Sequence, residues 1–372
     1  MAHSRPFGST LSLLLGAAPA CLAQGSLGID QPARMLPSGF WTTGISILAF
    51  SDPVPLHGAI NQWQGNLSTV PSPVIYGQWK GFALATIGNW QVSTWDLTTI
   101  LGEMSKDGAQ LLWMTKQKQT LPVGKSFDLN FTLDSIHRTG ISIGRAWRFA
   151  ELTFGASLDY WTATGAQFGT AEGRASITGP KAYSFDVEVN YSYNQNRLYE
   201  LAVPSERGWG AGLSVGATWT GKNWSWQLAT RDLGNQTTWN RLPLTMAKAV
   251  SGRSHLNSNG YTIFEPSIEG WEGEKPYTWR EPQAWVTSLE RGFSTYSARV
   301  KIERFGPITL RTAEVDCSLS LGIKLTLGYE GRNHLWSAGG EWDHFWVRVG
   351  TASFSSQATH ALQFELGAKG HW

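Results

Sequence analysis

Two stretches of the chain match the G-x-S-x-G pattern of serine hydrolases, GISIG at 140–144 and GLSVG at 212–216. In that pattern the serine acts as a nucleophile because a sharp turn between a strand and a helix exposes its hydroxyl. Ser142 and Ser214 instead lie in runs of alternating apolar and polar residues that continue on both sides. We interpret them as small residues of strands that face an interior, so the sequence predicts no catalytic residue. A lipid-modifying enzyme, the alternative, would need a serine and a histidine together near a membrane interface.

The remaining polar chemistry is sparse. The eight histidines include no H-E-x-x-H motif and no pair at helical spacing, so no metal site and no cofactor are predicted. A net charge of +2 without a basic patch excludes the nucleic-acid binders, and 20 tryptophans exclude a disordered chain.

Long alternation of apolar and polar residues is the main structural signal. In VDCSLSLGIKLTLGYE, residues 315–330, every odd position is apolar and every even position is polar or glycine. A helix would scatter those apolar groups around its circumference, so the pattern predicts one strand over the whole stretch. Soluble strands have about five or six residues, whereas a tilted crossing of a bilayer takes about 9–11.

Similar segments along the chain predict an all-β fold. We expect residues 24–372 to form a single transmembrane, antiparallel, up-and-down β-barrel of about fourteen strands. Short turns such as Gly88-Asn89 and Asp343-His344 require antiparallel neighbours. The sheet must close, because unpaired backbone groups in lipid cost several kcal/mol each.

Three segments do not alternate in this way. Residues 1–23 are predicted to be a secretory signal peptide, with Arg5 before the apolar stretch Leu11–Ala18 and small residues before a cut after Ala23 or, alternatively, after Ala20. Residues 98–118 predict one or two short helices, which could form a plug. Residues 251–284, rich in Trp, Glu and Pro, predict a long loop.

Tryptophan positions fit a bilayer crossing. Trp209 and Trp219 lie ten residues apart on the apolar face of GWGAGLSVGATW. At about 3.3 Å per residue and a tilt near 40°, they are separated by roughly 25 Å along the membrane normal, the height of an outer-membrane apolar band. We assign Trp209, Trp219, Trp336 and Trp342 to aromatic girdles at the two interfaces.

Charged residues within these strands are predicted to face the lumen, because Lys or Arg facing lipid at mid-depth costs about 2–4 kcal/mol. The candidates are Asp186, Glu188, Asp316, Lys324 and Arg348. Two interpretations stay open: the charges form ion-pair networks that fill the barrel, or they line a lumen that conducts.

The last residues, ALQFELGAKGHW, keep the alternation, with Phe364, Leu366 and Trp372 on one face. This segment resembles the C-terminal signal by which bacterial outer-membrane barrels are recognised for assembly. The resemblance implies the barrel-assembly machinery as a partner.

Two glycine-rich hairpins carry a further resemblance. GWGAGLSVGATWTGKNWSWQLATRDLGNQTTW, with its Asp232-Leu233-Gly234 corner, and ISIGRAWRFAELTFGASLDYWTATG resemble elements of the FadL-type barrels. That superfamily includes long-chain fatty-acid transporters, TraF-like conjugation-associated barrels and PorV-like secretion-associated barrels. The family's N-terminal Asn-Pro-Ala segment is absent from residues 51–74, so no substrate-binding residue is carried over.

Together these observations favour a bacterial outer-membrane channel or transporter, embedded in the lipid bilayer, for a small apolar or amphipathic ligand. The alternative is a non-conducting barrel that serves as a scaffold of a secretion or conjugation system. In that case residues 251–284 would be the surface that docks the secretion-system partner.

Overall fold

The structure, a computed structural model, describes residues 32, 36 and 38–372 apart from 62, 69, 181, 195–205, 252–253, 257–261, 265–267, 320–321 and 356. The predicted signal peptide, residues 1–23, lies outside the described residues and stays a prediction.

Strands make up most of the described chain. The elements in order are β1 (Phe40–Ser51), α1 (Leu56–Ile60), β2 (Val74–Ile87), β3 (Trp90–Met104), α2 (Lys106–Lys116), β4 (Ser126–Phe149), β5 (Leu152–Gly179), β6 (Ala182–Tyr193), β7 (Gly208–Thr220), β8 (Trp224–Val250), β9 (Ser254–Leu256), β10 (Thr262–Phe264), β11 (Ile268–Trp279), β12 (Ala284–Gly292), β13 (Tyr296–Phe305), β14 (Ile308–Ser318), β15 (Ile323–Glu330), β16 (Leu335–Trp342), β17 (Phe345–Thr351) and β18 (Ala361–His371). No helix among the described residues is long and apolar enough to cross a bilayer.

The strands close into an antiparallel barrel. Strands β1 to β5 pair in chain order, β5 pairs with β7, β7 with β8, and β8 with β12. From β12 the pairing again follows chain order to β18, which pairs with β1. The predicted all-β, antiparallel and closed fold is therefore confirmed.

The main sheet has sixteen strands, so the prediction of about fourteen is low by two. Two pairs of short strands explain the difference. β6 and β7 both lie between β5 and β8, one pairing with the second half of β5 and the other with its first half. β11 and β12 likewise share one edge of β8, and alternation alone does not show that two strands occupy one position.

Residues 315–330 form a hairpin, which corrects the prediction of one continuous strand. β14 ends at Ser318, β15 begins at Ile323, and Gly322 between them has a φ of +72°. Asp316 pairs with Thr326. Because paired residue numbers differ by an even amount, odd positions of both strands face the same side, and the alternation continues through the turn.

The apolar side of this hairpin faces outward. Val315, Leu325 and Leu327 are 50%, 44% and 65% exposed, whereas Asp316 and Thr326 are only 4% and 7% exposed. Apolar residues outside and polar residues inside are the reverse of a soluble barrel and match a wall that contacts lipid.

The two ends of the barrel differ. At one end, which we call the short-turn end, consecutive strands are joined by turns such as 88–89, 150–151, 221–223 and 343–344. β4, β5 and β8 are 24, 28 and 27 residues long in total, and they extend beyond their neighbours at the opposite end. Their ends, together with β6 and β11, form a sheet beyond the barrel, which we call the extension (residues 126–137, 165–179, 182–193, 237–250 and 268–279).

The two segments predicted to be non-strand are partly strand. Residues 98–104 complete β3, and only Lys106–Lys116 is helical. The helix packs on the extension, with Leu111 and Met114 against Phe127 and Ala175, so it is not a plug within the barrel. Of residues 251–284, predicted to be a loop, the ranges 254–256, 262–264 and 268–279 are strands.

The barrel interior contains a transverse apolar layer made by opposite walls. Tyr76 of β2 and Phe305 of β13 lie across the barrel from each other, yet their ring centroids are 5.8 Å apart. The buried members of this layer are Leu48, Phe50, Val74, Tyr76, Leu101, Ala229, Ala284, Phe305, Ile308, Leu310, Leu335 and Ala361. Side chains of the wall therefore fill the barrel at this level.

Candidate functional site

An aromatic cluster lies where the extension joins the barrel. Phe168 of β5 stacks on Tyr277 of β11, with centroids 5.4 Å apart and planes 14° apart, and on Trp279, at 5.2 Å and 20°. Tyr277 and Trp279 are alternate residues of one strand, so Phe168 occupies the space between their rings. Trp239 contacts the stack edge-on, at 5.7 Å from Phe168.

Glycines in β7 make room for the large rings. A Cβ on Gly208 would lie 2.4 Å from the Trp239 ring, and one on Gly210 would lie 2.5 Å from the Trp161 indole nitrogen. The glycine-rich sequence of β7 therefore allows two indoles to be buried against the backbone of a neighbouring strand.

Replacing Gly208 by alanine should destabilise the protein by about 1–3 kcal/mol, because the added methyl overpacks the site against Trp239. Gly81→Ala is the matched control, since no heavy atom lies within 4 Å of a Cβ at that position. Urea unfolding in detergent, followed by tryptophan fluorescence, measures both. Equal midpoints for the two variants would contradict this packing.

A buried ion pair lies directly beneath the aromatic cluster. Arg138 of β4 and Glu281, between β11 and β12, are joined by Nη1–Oε2 and Nη2–Oε1 distances of 2.7 and 2.9 Å. Their side chains are 1% and 0% exposed. Arg231 of β8 also pairs with this carboxylate, with its Nη2 3.4 Å from Glu281 Oε1. The Arg138 guanidinium also lies 5.2 Å from the ring of Trp161 and 5.9 Å from that of Trp279. A paired guanidinium among indole faces suits cation–π attraction in a desolvated site.

Irregularities in the backbone determine where Arg138 and Glu281 lie. β4 and β5 shift register at His137/Arg138, and β8 shifts against β7 between Ala211 and Val215. Residues 280–283 separate β11 from β12, and the Glu281 backbone N–H donates to Asn235 Oδ1 at 3.0 Å. Irregular backbone therefore lies beside both members of the pair, and irregularities of this kind change the direction in which a side chain points.

Asp134 lies next to the stack on the same face of the extension. Burial raises the pKa of its carboxyl, and Glu103 raises it further, while a hydrogen bond with Trp279 lowers it. An acid whose folded pKa is raised contributes stability below its unfolded pKa, and that stability is lost as the pH rises through the folded value.

We therefore expect Asp134→Asn to be more stable than the wild type at pH 7 and not at pH 3.5. Urea unfolding at the two pH values measures the difference. If the asparagine variant is more stable than the wild type by the same amount at both pH values, ionisation of the Asp134 carboxyl is not the cause.

Three of the predicted lumen-facing residues belong to a second network inside the barrel. Asp316 pairs with Lys324 at 2.9 Å and with Arg299 at 3.4 Å. Arg348 pairs with Glu314 at 2.8 Å, and Arg299 also reaches Glu314 at 3.1 Å. This arrangement is the ion-pair network that the sequence left as one of two interpretations.

The other two, Asp186 and Glu188, lie on β6 in the extension, beyond the barrel. Both carboxylates pair with Lys248, at 3.4 and 3.0 Å, and both are exposed. These hydrogen bonds and charges raise the pKa of Lys248, Glu188 having the largest effect. They are not part of the buried network.

The remaining candidates lie on the outer surface. Trp209, Trp219, Trp336 and Trp342 are exposed, and so are Leu366 and Trp372 of the C-terminal segment, whereas Phe364 is half-buried. Their roles in the girdles and in assembly stay predictions.

The two serines lie within strands, as their context indicated. Ser142 in β4 accepts a hydrogen bond from Trp95 Nε1 at 2.9 Å, and Ser214 in β7 donates to Asp159 at 2.9 Å. Over the described part of the chain, no cluster of metal-ligating side chains is present.

Sequence reasoning did not identify Phe168, Trp239, Tyr277, Arg138 or Glu281. Arg138 and Glu281 are 143 positions apart, and Glu281 lies in a segment predicted to be a loop. The available signal was an arginine at an inward-facing position of a long apolar strand, which requires a buried partner.

Comparisons with known proteins give structural similarity only. No family model matches the chain, and no curated protein is significantly similar in sequence. The chain is similar in structure to the Pseudomonas putida toluene transporter TodX, at 13% identity and a TM-score of 0.46, over 92% of this chain and 91% of that one. It is also similar to the Ralstonia pickettii toluene transporter TbuX, at 10% identity and 0.48, over 92% of each chain.

A third similar structure is a Pseudomonas aeruginosa FadL homologue, at 9% identity and a TM-score of 0.46, over 91% of this chain and 92% of that one. These solved structures belong to the group of barrels that the glycine-rich hairpins resemble. Similarity at this level does not transfer a function to this chain.

Proposed function

We propose that the protein is an outer-membrane barrel that admits small apolar molecules, and planar aromatic ones in particular, through the aromatic cluster of Phe168, Trp239, Tyr277 and Trp279. The observation that carries the proposal is the stack in which Phe168 fills the space between Tyr277 and Trp279. That space has the thickness of one aromatic ring, and a benzene-sized ligand can replace the Phe168 ring within it.

The position of the cluster supports an entry route. The cluster lies at the base of the extension, where the exposed carboxylates of Asp186 and Glu188, farther along the same sheet, keep the approach hydrated. A ligand that leaves water for the stack gains the free energy of apolar burial there.

In this proposal the ligand leaves the aromatic stack laterally, through the wall of the barrel. Below the cluster, the Arg138–Glu281 pair and the apolar layer fill the barrel. At the level of the cluster, β6 ends at Tyr193 and β7 begins at Gly208, so no described strand joins β5 to β8 there. Among the described residues between those two strands, Asn194 bonds to this edge of β5, its side chain donating to the Thr164 carbonyl and accepting from the Ala166 N–H.

Uptake by intact Gram-negative cells tests the function. Cells that produce the protein should accumulate labelled toluene several-fold faster than cells without it, with a rate that saturates, and should not gain permeability to a sugar. Intact cells are needed because toluene dissolves unaided in a plain phospholipid bilayer. Equal rates of toluene uptake with and without the protein would refute the proposal.

Replacing Phe168 by alanine tests the stack itself. The variant vacates a ring-sized space, so purified Phe168→Ala should bind toluene roughly tenfold more tightly, since the ligand no longer competes with two ring contacts of about 0.5–1.5 kcal/mol each. Phe127→Ala is the control, because Phe127 is fully buried on the opposite face, beneath α2. Unchanged affinity in Phe168→Ala, measured by calorimetry, would place the ligand elsewhere.

One observation favours the alternative, a non-conducting scaffold. The charge network and the apolar layer occupy part of the barrel interior over the described residues. The uptake experiment discriminates between the two functions, because a scaffold gives no saturable toluene uptake while its barrel still assembles.

A further inference from the structure

A cleft of about 480 Å³ opens at the short-turn end, between the β7–β8 turn and the β12–β13 turn. Lys222 and Asn223 line it from the first turn, and Arg291, Phe293 and Tyr296 line it from the second. The cleft lies far from the aromatic cluster, and nothing in the proposed transport function uses it.

The cleft faces the lipid side of the wall. Arg291 alternates with Leu289, which is 46% exposed, and it pairs across the sheet with the exposed Trp224. The neighbouring strand presents Val300, 59% exposed, on the same face. Arg291 is thus the last residue of an outward apolar column, at the level where the bilayer ends.

Aromatic rings hold the arginine in place. Its guanidinium lies 5.0 Å from the Trp224 ring and 5.1 Å from the Phe293 ring. Phe293 in turn stacks on Tyr296, with centroids 4.4 Å apart. Rings on both sides limit the rotamers of Arg291, so its N–H groups are preorganised toward the cleft.

The two cations in the cleft lack a carboxylate. Among the residues that the structure describes, neither Lys222 nor Arg291 forms an ion pair. By contrast, Arg299 and Lys324 of the interior network are paired. Two unpaired cations at the membrane surface therefore offer a site of positive potential to an anion.

The short turns identify the leaflet. Outer-membrane barrels have short periplasmic turns and longer extracellular loops, so the cleft lies at the periplasmic leaflet. The anions available on a lipid-facing surface at that depth are phospholipid phosphates.

We infer that the cleft binds the phosphate of an anionic phospholipid from the periplasmic leaflet. Arg291 donates two parallel N–H bonds to phosphate oxygens, Lys222 supplies the second charge, and Phe293 and Tyr296 pack against the glycerol and the first acyl carbons.

Native mass spectrometry of the detergent-purified protein with phosphatidylglycerol tests the site. The wild type should retain the lipid, and Lys222→Gln/Arg291→Gln should bind it at least tenfold more weakly, because two charge-assisted contacts are lost. Lys106→Gln/Lys116→Gln removes the same charge from exposed positions of α2 and should bind like the wild type. Phosphatidylcholine, which is zwitterionic, should bind more weakly than phosphatidylglycerol.

Three results would overturn the inference: equal phosphatidylglycerol binding by the wild type and the Lys222/Arg291 variant, an equal loss in the α2 control, or stabilisation of the protein by inorganic phosphate as great as by the lipid. The migration of unheated protein on a denaturing gel verifies that each variant is folded. Toluene uptake by the Lys222/Arg291 variant stays at the wild-type rate, so this test and that of the transport function fail independently.

Discussion

Replacing Arg299 by alanine should destabilise the barrel by about 3–5 kcal/mol, the cost of removing one member from a buried ion-pair network. An Arg299 guanidinium nitrogen lies 2.9 Å from a Glu290 carboxylate oxygen, and others lie 3.1 Å from Glu314 and 3.4 Å from Asp316, while the side chain is only 8% exposed. Its removal takes this arginine from Glu290, whereas Asp316 keeps Lys324 and Glu314 keeps Arg348, so the repulsion among the three carboxylates is less well compensated.

The measurement is the unfolding free energy in urea, with the protein in detergent or in liposomes. Arg174→Ala is the control, because the Arg174–Asp128 pair has a similar distance, 2.9 Å, with both side chains more than half exposed. An exposed pair contributes at most about 1 kcal/mol. If both variants lose the same small amount of stability, the barrel interior is hydrated and the ion pairs of Arg299 are not buried.

Replacing Glu281 by glutamine should lower the free energy of unfolding by about 3–5 kcal/mol as well, because Arg138 and Arg231 then stay charged and buried without this carboxylate. The extension should unfold before the barrel in this variant, because Glu281 connects the segment after β11 to β4. Hydrogen exchange should accelerate first in β11 and in residues 237–250 of β8.

A triple variant separates the charges from the packing. Arg138→Met/Arg231→Met/Glu281→Leu removes all three buried charges and keeps comparable volume, so it should recover most of the stability that Glu281→Gln loses. If the triple variant is no more stable than Glu281→Gln, these ion pairs are not the interactions that hold this level of the wall.

The closed, lipid-facing barrel follows from the sequence because alternation reports which side of a strand is apolar. The same signal does not report where a strand turns. Residues 315–330 alternate without interruption because the hairpin keeps odd positions of both strands on one side, and only Gly322, with its positive φ, indicates the turn.

The ion-pair network inside the barrel could be predicted in part from the sequence. Asp316, Lys324 and Arg348 were identified because charged residues at inward positions must avoid lipid. Their partners could not be assigned, since Arg299 and Glu314 come from strands whose register depends on the turns. Asp186 and Glu188 carry the same signal, yet they lie beyond the barrel, because alternation does not reveal where the bilayer ends along a long strand.

The aromatic cluster could not be predicted from the sequence. Phe168, Trp239 and Tyr277 come from three strands, and they meet because β6 and β7 divide one position in the wall and a bulge shifts β5 against β4. Interruptions of this kind bring distant side chains together, and no local pattern of residue types encodes them.

The position of a heavy-atom ligand shows whether small aromatic molecules enter through the aromatic cluster. Crystals of the wild-type protein soaked in iodobenzene should show an anomalous iodine peak beside Tyr277 and Trp279, with the Phe168 side chain displaced from between them. Iodine peaks confined to the outer apolar surface, with the Phe168 stack intact, would contradict the claim that small aromatic molecules enter through this cluster.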